Sequence, residues 1–162
     1  DHGVKISFDP NIRREVMESG NIREFVRFVV ENCTFLLPGE DELQWITGIG
    51  DEQRAAEYVL GHRAEHVIVK RGSRGSRVYS REGFFDVAPF SVMEVDPTGA
   101  GDCFAGTLVS LLNQGRTMDE AVRYASAAGA VSVPRKGPME GTSTLPELEA
   151  FMNSRAGHEG TC

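Results

Sequence analysis

Runs that read as strands alternate with runs that read as helices along most of this 162-residue chain, and that alternation limits its fold more than any other feature. Val4-Lys5-Ile6-Ser7-Phe8-Asp9 alternates and carries β-branched and aromatic residues, so it reads as a strand ending at Asp9-Pro10-Asn11. Residues 21–32 space Ile22, Phe25, Val26, Val29 and Val30 as one face of a helix. Thr34-Phe35-Leu36-Leu37 is a short buried strand closed by Pro38-Gly39. A short acidic helix is expected from about Glu40 and another over Glu52–Leu60, with Gly61 ending the latter in a left-handed conformation. His66-Val67-Ile68-Val69-Lys70 is the most strand-like run of all. Val78-Tyr79-Ser80 and Phe84-Phe85-Asp86-Val87 flank Arg81-Glu82-Gly83 as a hairpin. Helices fill most of the rest, at 100–114, 118–132 and 145–153.

Such an order implies βαβ units, hence an α/β fold with a mainly parallel sheet covered by helices. The net charge is −7, from 24 acidic against 17 basic residues, and no basic stripe is visible. That balance argues against a nucleic-acid partner and means that a phosphate ligand must find local donors. No apolar run approaches the roughly 20 residues that span a bilayer, and the start shows no signal-peptide pattern. Cys33, Cys103 and Cys162 are an odd, widely spaced set that fits reduced thiols, and the four histidines show no metal-ligand spacing. The chain reads as a cytoplasmic protein without structural zinc and without a membrane partner.

The segment richest in chemistry is Val95-Asp96-Pro97-Thr98-Gly99-Ala100-Gly101-Asp102-Cys103-Phe104-Ala105-Gly106. Three small residues precede an aspartate, and a helical pattern follows through Phe104, Leu108, Leu111 and Leu112. Such a turn lets the amides of Gly99, Ala100 and Gly101 converge at a helix N-terminus, where unpaired N–H groups and the helix dipole favour an anion. An aspartate in the first turn, placed beside a transferring phosphoryl group, would accept the proton of an attacking hydroxyl. A glycine-rich turn in which Asp102 merely caps the helix fits the bare pattern equally well.

Asp96 to Asp102 resembles the D-x-x-G-A-G-D motif of the ribokinase-like (PfkB) family, whose members phosphorylate sugars and nucleosides with ATP. The resemblance implies Asp102 as catalytic base and Gly99, Ala100 and Gly101 as an anion hole. Pro97 stands where many relatives have threonine or serine. Lys70-Arg71-Gly72-Ser73-Arg74-Gly75 resembles the family's nucleotide-phosphate loop, implying cofactor contacts from Lys70, Gly72, Ser73 and Gly75. Pro38-Gly39-Glu40-Asp41-Glu42 resembles the N-x-x-E element, which puts Glu42 at the position that organises magnesium, with Gly39 in place of the asparagine. Ala125-Ser126-Ala127-Ala128-Gly129-Ala130 resembles the helix lining the adenine pocket, with Ser126 where asparagine is common.

Phe8-Asp9-Pro10-Asn11-Ile12-Arg13 is similar to the D-x-N-x-R stretch of the branch that includes 2-dehydro-3-deoxygluconate kinases, which implies substrate contacts from Asn11 and Arg13. A guanidinium suits a sugar-acid carboxylate because it binds two oxygens at once. Taken as a turn, the same stretch has Asp9 and Asn11 capping local backbone. The implied cofactors are ATP and Mg2+, and Pro134-Arg135-Lys136-Gly137, with Asp96 and Thr98, leaves room for a monovalent cation. The implied partner is a sugar or sugar-acid substrate, with self-association left open.

The implied fold is a three-layer α/β/α ribokinase-like domain. The resemblance covers residues 1–153 but only the later, nucleotide-binding portion of a full family member, so the N-terminal half and its lid are expected to be absent. Residues 154–162 read as a frayed tail. Two functions follow: an ATP-dependent sugar kinase, or a truncated half-domain that binds nucleotide without turnover. A dinucleotide-binding Rossmann domain fits poorly, because no G-x-G-x-x-G follows an N-terminal strand.

Overall fold

The computed structural model describes residues 3–12, 20–137 and 140–156. Contacts divide the chain into two units, Asp1–Asp86 and Val87–Cys162. The first is built on a five-stranded sheet in the order β1 (Ser7–Phe8), β2 (Phe35–Leu36), β3 (His66–Lys70), β4 (Ser76–Ser80), β5 (Gly83–Val87). β1, β2 and β3 run parallel, with Phe8 opposite Leu36 and Leu36 opposite Val67. β4 returns antiparallel to β3, with Lys70 opposite Ser76.

The described residues of this unit form three helices: α1 (Gly20–Asn32), α2 (Glu40–Thr47) and α3 (Glu52–Leu60). Their apolar faces close on one side of the sheet, where Val26, Val30, Leu43, Ile46, Ala55 and Val59 pack with Leu36, Val67, Val69 and Tyr79. Ile68, which alternation turns to the opposite face, is also fully buried. β3 is therefore apolar on both sides, as a central strand of a parallel sheet requires.

Three expectations need adjustment. β1 is only two residues long, and Val4 and Ile6 beside it are exposed, although the Ile6 carbonyl still accepts from the Thr34 and Phe35 amides. In α1 the buried stripe is Val26 and Val30, whereas Ile22, Phe25 and Phe28 face outward. A helical step of about 100° carries Phe25 off the face that Val26 occupies. Gly61 is right-handed, at φ −67°, not left-handed. Its N–H still reaches the Glu57 carbonyl at 3.0 Å and His62 continues the winding onto Val59, so α3 ends by tightening and needs no αL residue.

The second unit holds α4 (Ala100–Asn113), α5 (Met118–Ser132) and α6 (Leu145–Ala156). α6 runs three residues past its expected end. Thr117 caps α5 by accepting from the Glu120 amide at 3.3 Å, while Glu120 reaches back to the Thr117 amide at 3.2 Å. The buried face of α5 is Ala121, Val122, Ala125, Ala127 and Ala128, so α4 approaches closely. Leu148 of α6 is buried against Ala127 and Ala128, with Phe90 and Phe151 packed around it. Among the described residues no helix is long and apolar enough to cross a membrane.

Candidate active site

Parallel strands deliver their C-terminal ends to one edge of the sheet, and β1, β2 and β3 bring Asp9, Gly39 and Lys70 there. The Lys70 ammonium donates to Asp9 Oδ2 at 2.5 Å, with both side chains largely buried. The Lys70 amide donates to the Pro38 carbonyl at 2.8 Å. Asp9 Oδ1 is buried and has no hydrogen-bond partner among the described residues.

Glu42, the expected metal residue, uses both carboxylate oxygens on backbone amides. Oε1 accepts from Ile12 N–H at 2.5 Å and Oε2 from Gly39 N–H at 2.6 Å. The second bond is half of a capping arrangement at the start of α2. The first fastens the segment after β1. Among the described residues no group of three or more His, Cys, Asp or Glu side chains is arranged to hold a metal ion. Asn11 is exposed and is the only described non-glycine residue with positive φ, at 42°. Asparagine tolerates that region better than most side chains. Arg13 lies outside the described residues.

The loop after β3 is a single 3₁₀ turn, Gly72–Arg74, closed by Gly75. Arg71 N–H donates to the Gly75 carbonyl at 2.8 Å, Gly75 N–H to the Gly72 carbonyl at 3.0 Å, and Arg74 N–H to the Arg71 carbonyl at 3.1 Å. Among the described residues no hydrogen bond engages the amides of Gly72 and Ser73, and both residues are exposed. The loop's cations are already paired. Arg71 bonds Glu52 with Nη2 and with Nε (3.2 Å), and its Nη1 lies 3.4 Å from Asp86. Tyr79 donates to the same Glu52 carboxylate at 2.6 Å. The loop therefore offers a phosphate its amides more than its charges.

In the second unit, the Val95 and Asp96 amides donate to the Val133 carbonyl at 3.1 and 2.9 Å. Asp96 Oδ1 accepts from Thr98 N–H at 3.0 Å and Oδ2 from Gly137 N–H at 3.1 Å. Bonding to the Thr98 side chain above all, then to the Thr98 and Gly137 amides, holds this carboxyl below the usual aspartate range. The chain then turns through Gly99 at φ 85°, a conformation that costs glycine nothing, and enters α4.

Ala100 N–H donates to the Pro97 carbonyl at 3.2 Å, so this member of the expected anion hole is engaged within the turn. The amides of Gly101 and Asp102 find no acceptor among the described residues. Asp102 is exposed in the first turn of α4, while Phe104, Leu108 and Leu111 bury the opposite face. α5 fixes this turn from behind: a Cβ at Gly129 would stand 3.4 Å from the Ala100 carbonyl oxygen. Ser126, one turn earlier on α5, has a buried hydroxyl without a partner among the described residues.

The structure thus gathers Asn11, Glu42 and Lys70 at one sheet edge, and Gly99, Ala100, Gly101 and Asp102 at one helix start backed by the helix of Ser126. Sequence reading gave Asp9 only a local capping role, not the bond to Lys70, and gave Asp96 no fastening role. Asp96 had a signal in its place two residues before Thr98, the spacing of a turn in which an aspartate accepts from the backbone. Glu42 was singled out, but its capping role was masked because glycine stands where Ser or Thr usually marks the box.

A model of the family described as pfkB family carbohydrate kinase matches residues 1–145. A 2-dehydro-3-deoxygluconokinase from Bacillus subtilis is 30% identical over 156 residues, covering 94% of this chain and 48% of that protein. A cytidine kinase from Thermococcus kodakarensis is 36% identical over 124 residues, covering 74% of this chain and 43% of its own. An E. coli protein assigned as a ribokinase II, solved in complex with ATP and Mg2+, is 42% identical with a TM-score of 0.89, over 94% of this chain and 49% of that one. The chain spans about half the length of the curated relatives it matches. Its fold is the ribokinase-like α/β fold, and the chain belongs to the pfkB family of carbohydrate kinases.

Proposed function

We propose that this chain is the nucleotide-binding part of an ATP-dependent kinase acting on a hydroxyl of a sugar or sugar acid, with Asp102 as general base. One observation carries the reading. The unengaged amides of Gly101 and Asp102 lie at the start of a 14-residue helix whose first turn carries the exposed Asp102 carboxylate, which supports reading an anion site and a proton acceptor there.

In the transfer, the substrate hydroxyl oxygen forms a bond to the γ-phosphorus as the bond from that phosphorus to the β,γ-bridging oxygen breaks, releasing ADP. Asp102 takes the hydroxyl proton, which raises the oxygen's nucleophilicity as it attacks. Amides at the helix start stabilise charge on the transferring group; Gly99 and Gly101 contribute theirs, and Ala100 joins by releasing Pro97. Gly72 and Ser73 receive nucleotide phosphates through their unengaged backbone amides, in a turn that Gly75 closes on Gly72 and that Lys70, held by Asp9, leads into. Ser126 offers its unpartnered hydroxyl to the nucleotide. Asn11 and Arg13 contact the substrate.

Mg2+, where bound with the nucleotide, would supply positive charge against the phosphate oxygens. Glu42 would act on it through water, because both of its oxygens already accept from amides. A second reading is a half-domain that binds nucleotide without turnover.

The test is ADP release from Mg·ATP with 2-dehydro-3-deoxygluconate, run beside calorimetric titration with Mg·ADP. The kinase reading expects substrate-dependent release that falls by about 10² to 10⁴ in Asp102→Asn, the usual contribution of a general base, with ADP affinity retained. Binding without release supports the half-domain. Neither binding nor release removes both readings.

A further inference from the structure

Asp9 has no part in the chemistry described so far, yet it joins the two loops of the first unit on which that chemistry depends. It follows β1, two residues before Asn11, and its Oδ2 takes the Lys70 ammonium at 2.5 Å. Lys70 is the last residue of β3, and the next residue, Arg71, closes the phosphate loop onto Gly75. The segment after β1 has a second fastening, the Ile12 amide on Glu42 at 2.5 Å. The left-handed Asn11 lies between these two ties.

We propose that Asp9 is a positioning residue: through Lys70 it ties the Asn11 turn to the nucleotide-phosphate loop, so that filling the nucleotide loop stiffens the turn that meets the substrate. The proposal rests on the nucleotide reading of the Gly72–Gly75 loop given above.

The pair is poorly suited to a purely stabilising role. Its side chains are only 22% and 18% exposed, so both charges are largely desolvated, and Asp9 Oδ1 has no donor among the described residues. A largely buried ion pair with an unsatisfied oxygen contributes little net stability and is often matched by apolar residues of similar size. What it supplies is a directional link between segments 61 residues apart in sequence. A coupling of this kind is reciprocal, so substrate on the Asn11 turn would tighten nucleotide binding by the same factor.

Amide hydrogen exchange of the 162-residue chain, read at Ile12 and at Val67 inside β3, tests the link. Without nucleotide, Asp9→Asn and Lys70→Met should each speed Ile12 exchange about tenfold, the change that ~1.4 kcal/mol gives. The double variant should be no faster than either single one, and Val67 should keep its protection. Saturating Mg·ADP should slow Ile12 exchange in the parent and fail to do so in either variant. Unchanged Ile12 exchange in nucleotide-free Asp9→Asn overturns the tether. Equal losses at Ile12 and Val67 overturn it too, since they report general destabilisation.

ADP that binds by calorimetry without slowing Ile12 overturns the coupling alone. A parent chain that binds no ADP instead overturns the nucleotide reading, and the nucleotide-free rates still decide the tether.

Discussion

Gly129 offers a test in which the sign of the effect follows from distances. A methyl group added there would lie 3.4 Å from the Ala100 carbonyl oxygen and 4.0 Å from Phe104 Cβ, both ordinary contact distances. Gly129 is absent from the residues with positive φ, so alanine adopts its backbone without strain. Replacing glycine by alanine inside a helix contributes up to about 1 kcal/mol. Position 129 is one turn from the end of α5, where fraying trims that gain, so Gly129→Ala should stabilise by roughly 0.5 kcal/mol.

Gly129→Val reverses the balance. Its two γ-carbons need space that the Ala100 carbonyl and Phe104 occupy, an overpacking cost of about 1–3 kcal/mol. Relief would come by moving the first turn of α4, and with it Asp102. Urea denaturation followed by circular dichroism gives both differences from midpoints at unchanged slope. Loss of more than about 1 kcal/mol in Gly129→Ala, or a Gly129→Val variant as stable as the parent, would refute the close approach of α5 to that turn.

Arg71→Met should cost about 1–3 kcal/mol, between the values of exposed and fully buried pairs, because the largely buried guanidinium loses its fork on Glu52; Arg71→Lys should not restore it in the same urea measurement. Asp96 titrates below its ordinary value in the fold, so its stabilisation is present above the unfolded value near 3.8 and is lost as pH falls through the folded one. Asp96→Asn should therefore lose less stability than the parent between neutral and strongly acid pH, as read from urea midpoints at each pH. Burial pushes the Cys33 thiol up to about 11, so a thiol-reactive disulfide reagent at mildly alkaline pH should label Cys33 only after denaturation.

Much of the architecture was legible because it is written in local patterns. The Val67-Ile68-Val69 run and the Phe104–Leu108–Leu111 spacing each fix an element without knowledge of its neighbours. The turn before α4 was legible for the same reason, since Gly99 and Asp102 are three residues apart. What the sequence hid is what long-range pairing decides. That Lys70 and Arg71 are both spent on carboxylates depends on Asp9, Glu52 and Asp86, which nothing local links to the loop. Phe25 looked like a core residue in a helical pattern, and only the sheet's position showed which stripe of α1 is buried. Gly61 misled for a subtler reason: glycine after a helix permits the left-handed turn without requiring it.

The ties at the sheet edge also bear on how the chain reaches this form. Helices α4 and α5 close on each other across a short turn, whereas the bond from Ile12 to Glu42 closes 30 residues and the one from Asp9 to Lys70 closes 61. Closing such loops costs chain entropy that only the assembled sheet offsets, so these ties form late in folding, after the strands have found their order. By the same reasoning they open first when conditions turn mildly denaturing, while helical content persists. Protection of the Ile12 amide would then be lost before secondary structure, and its midpoint would fall at lower urea than a circular dichroism midpoint.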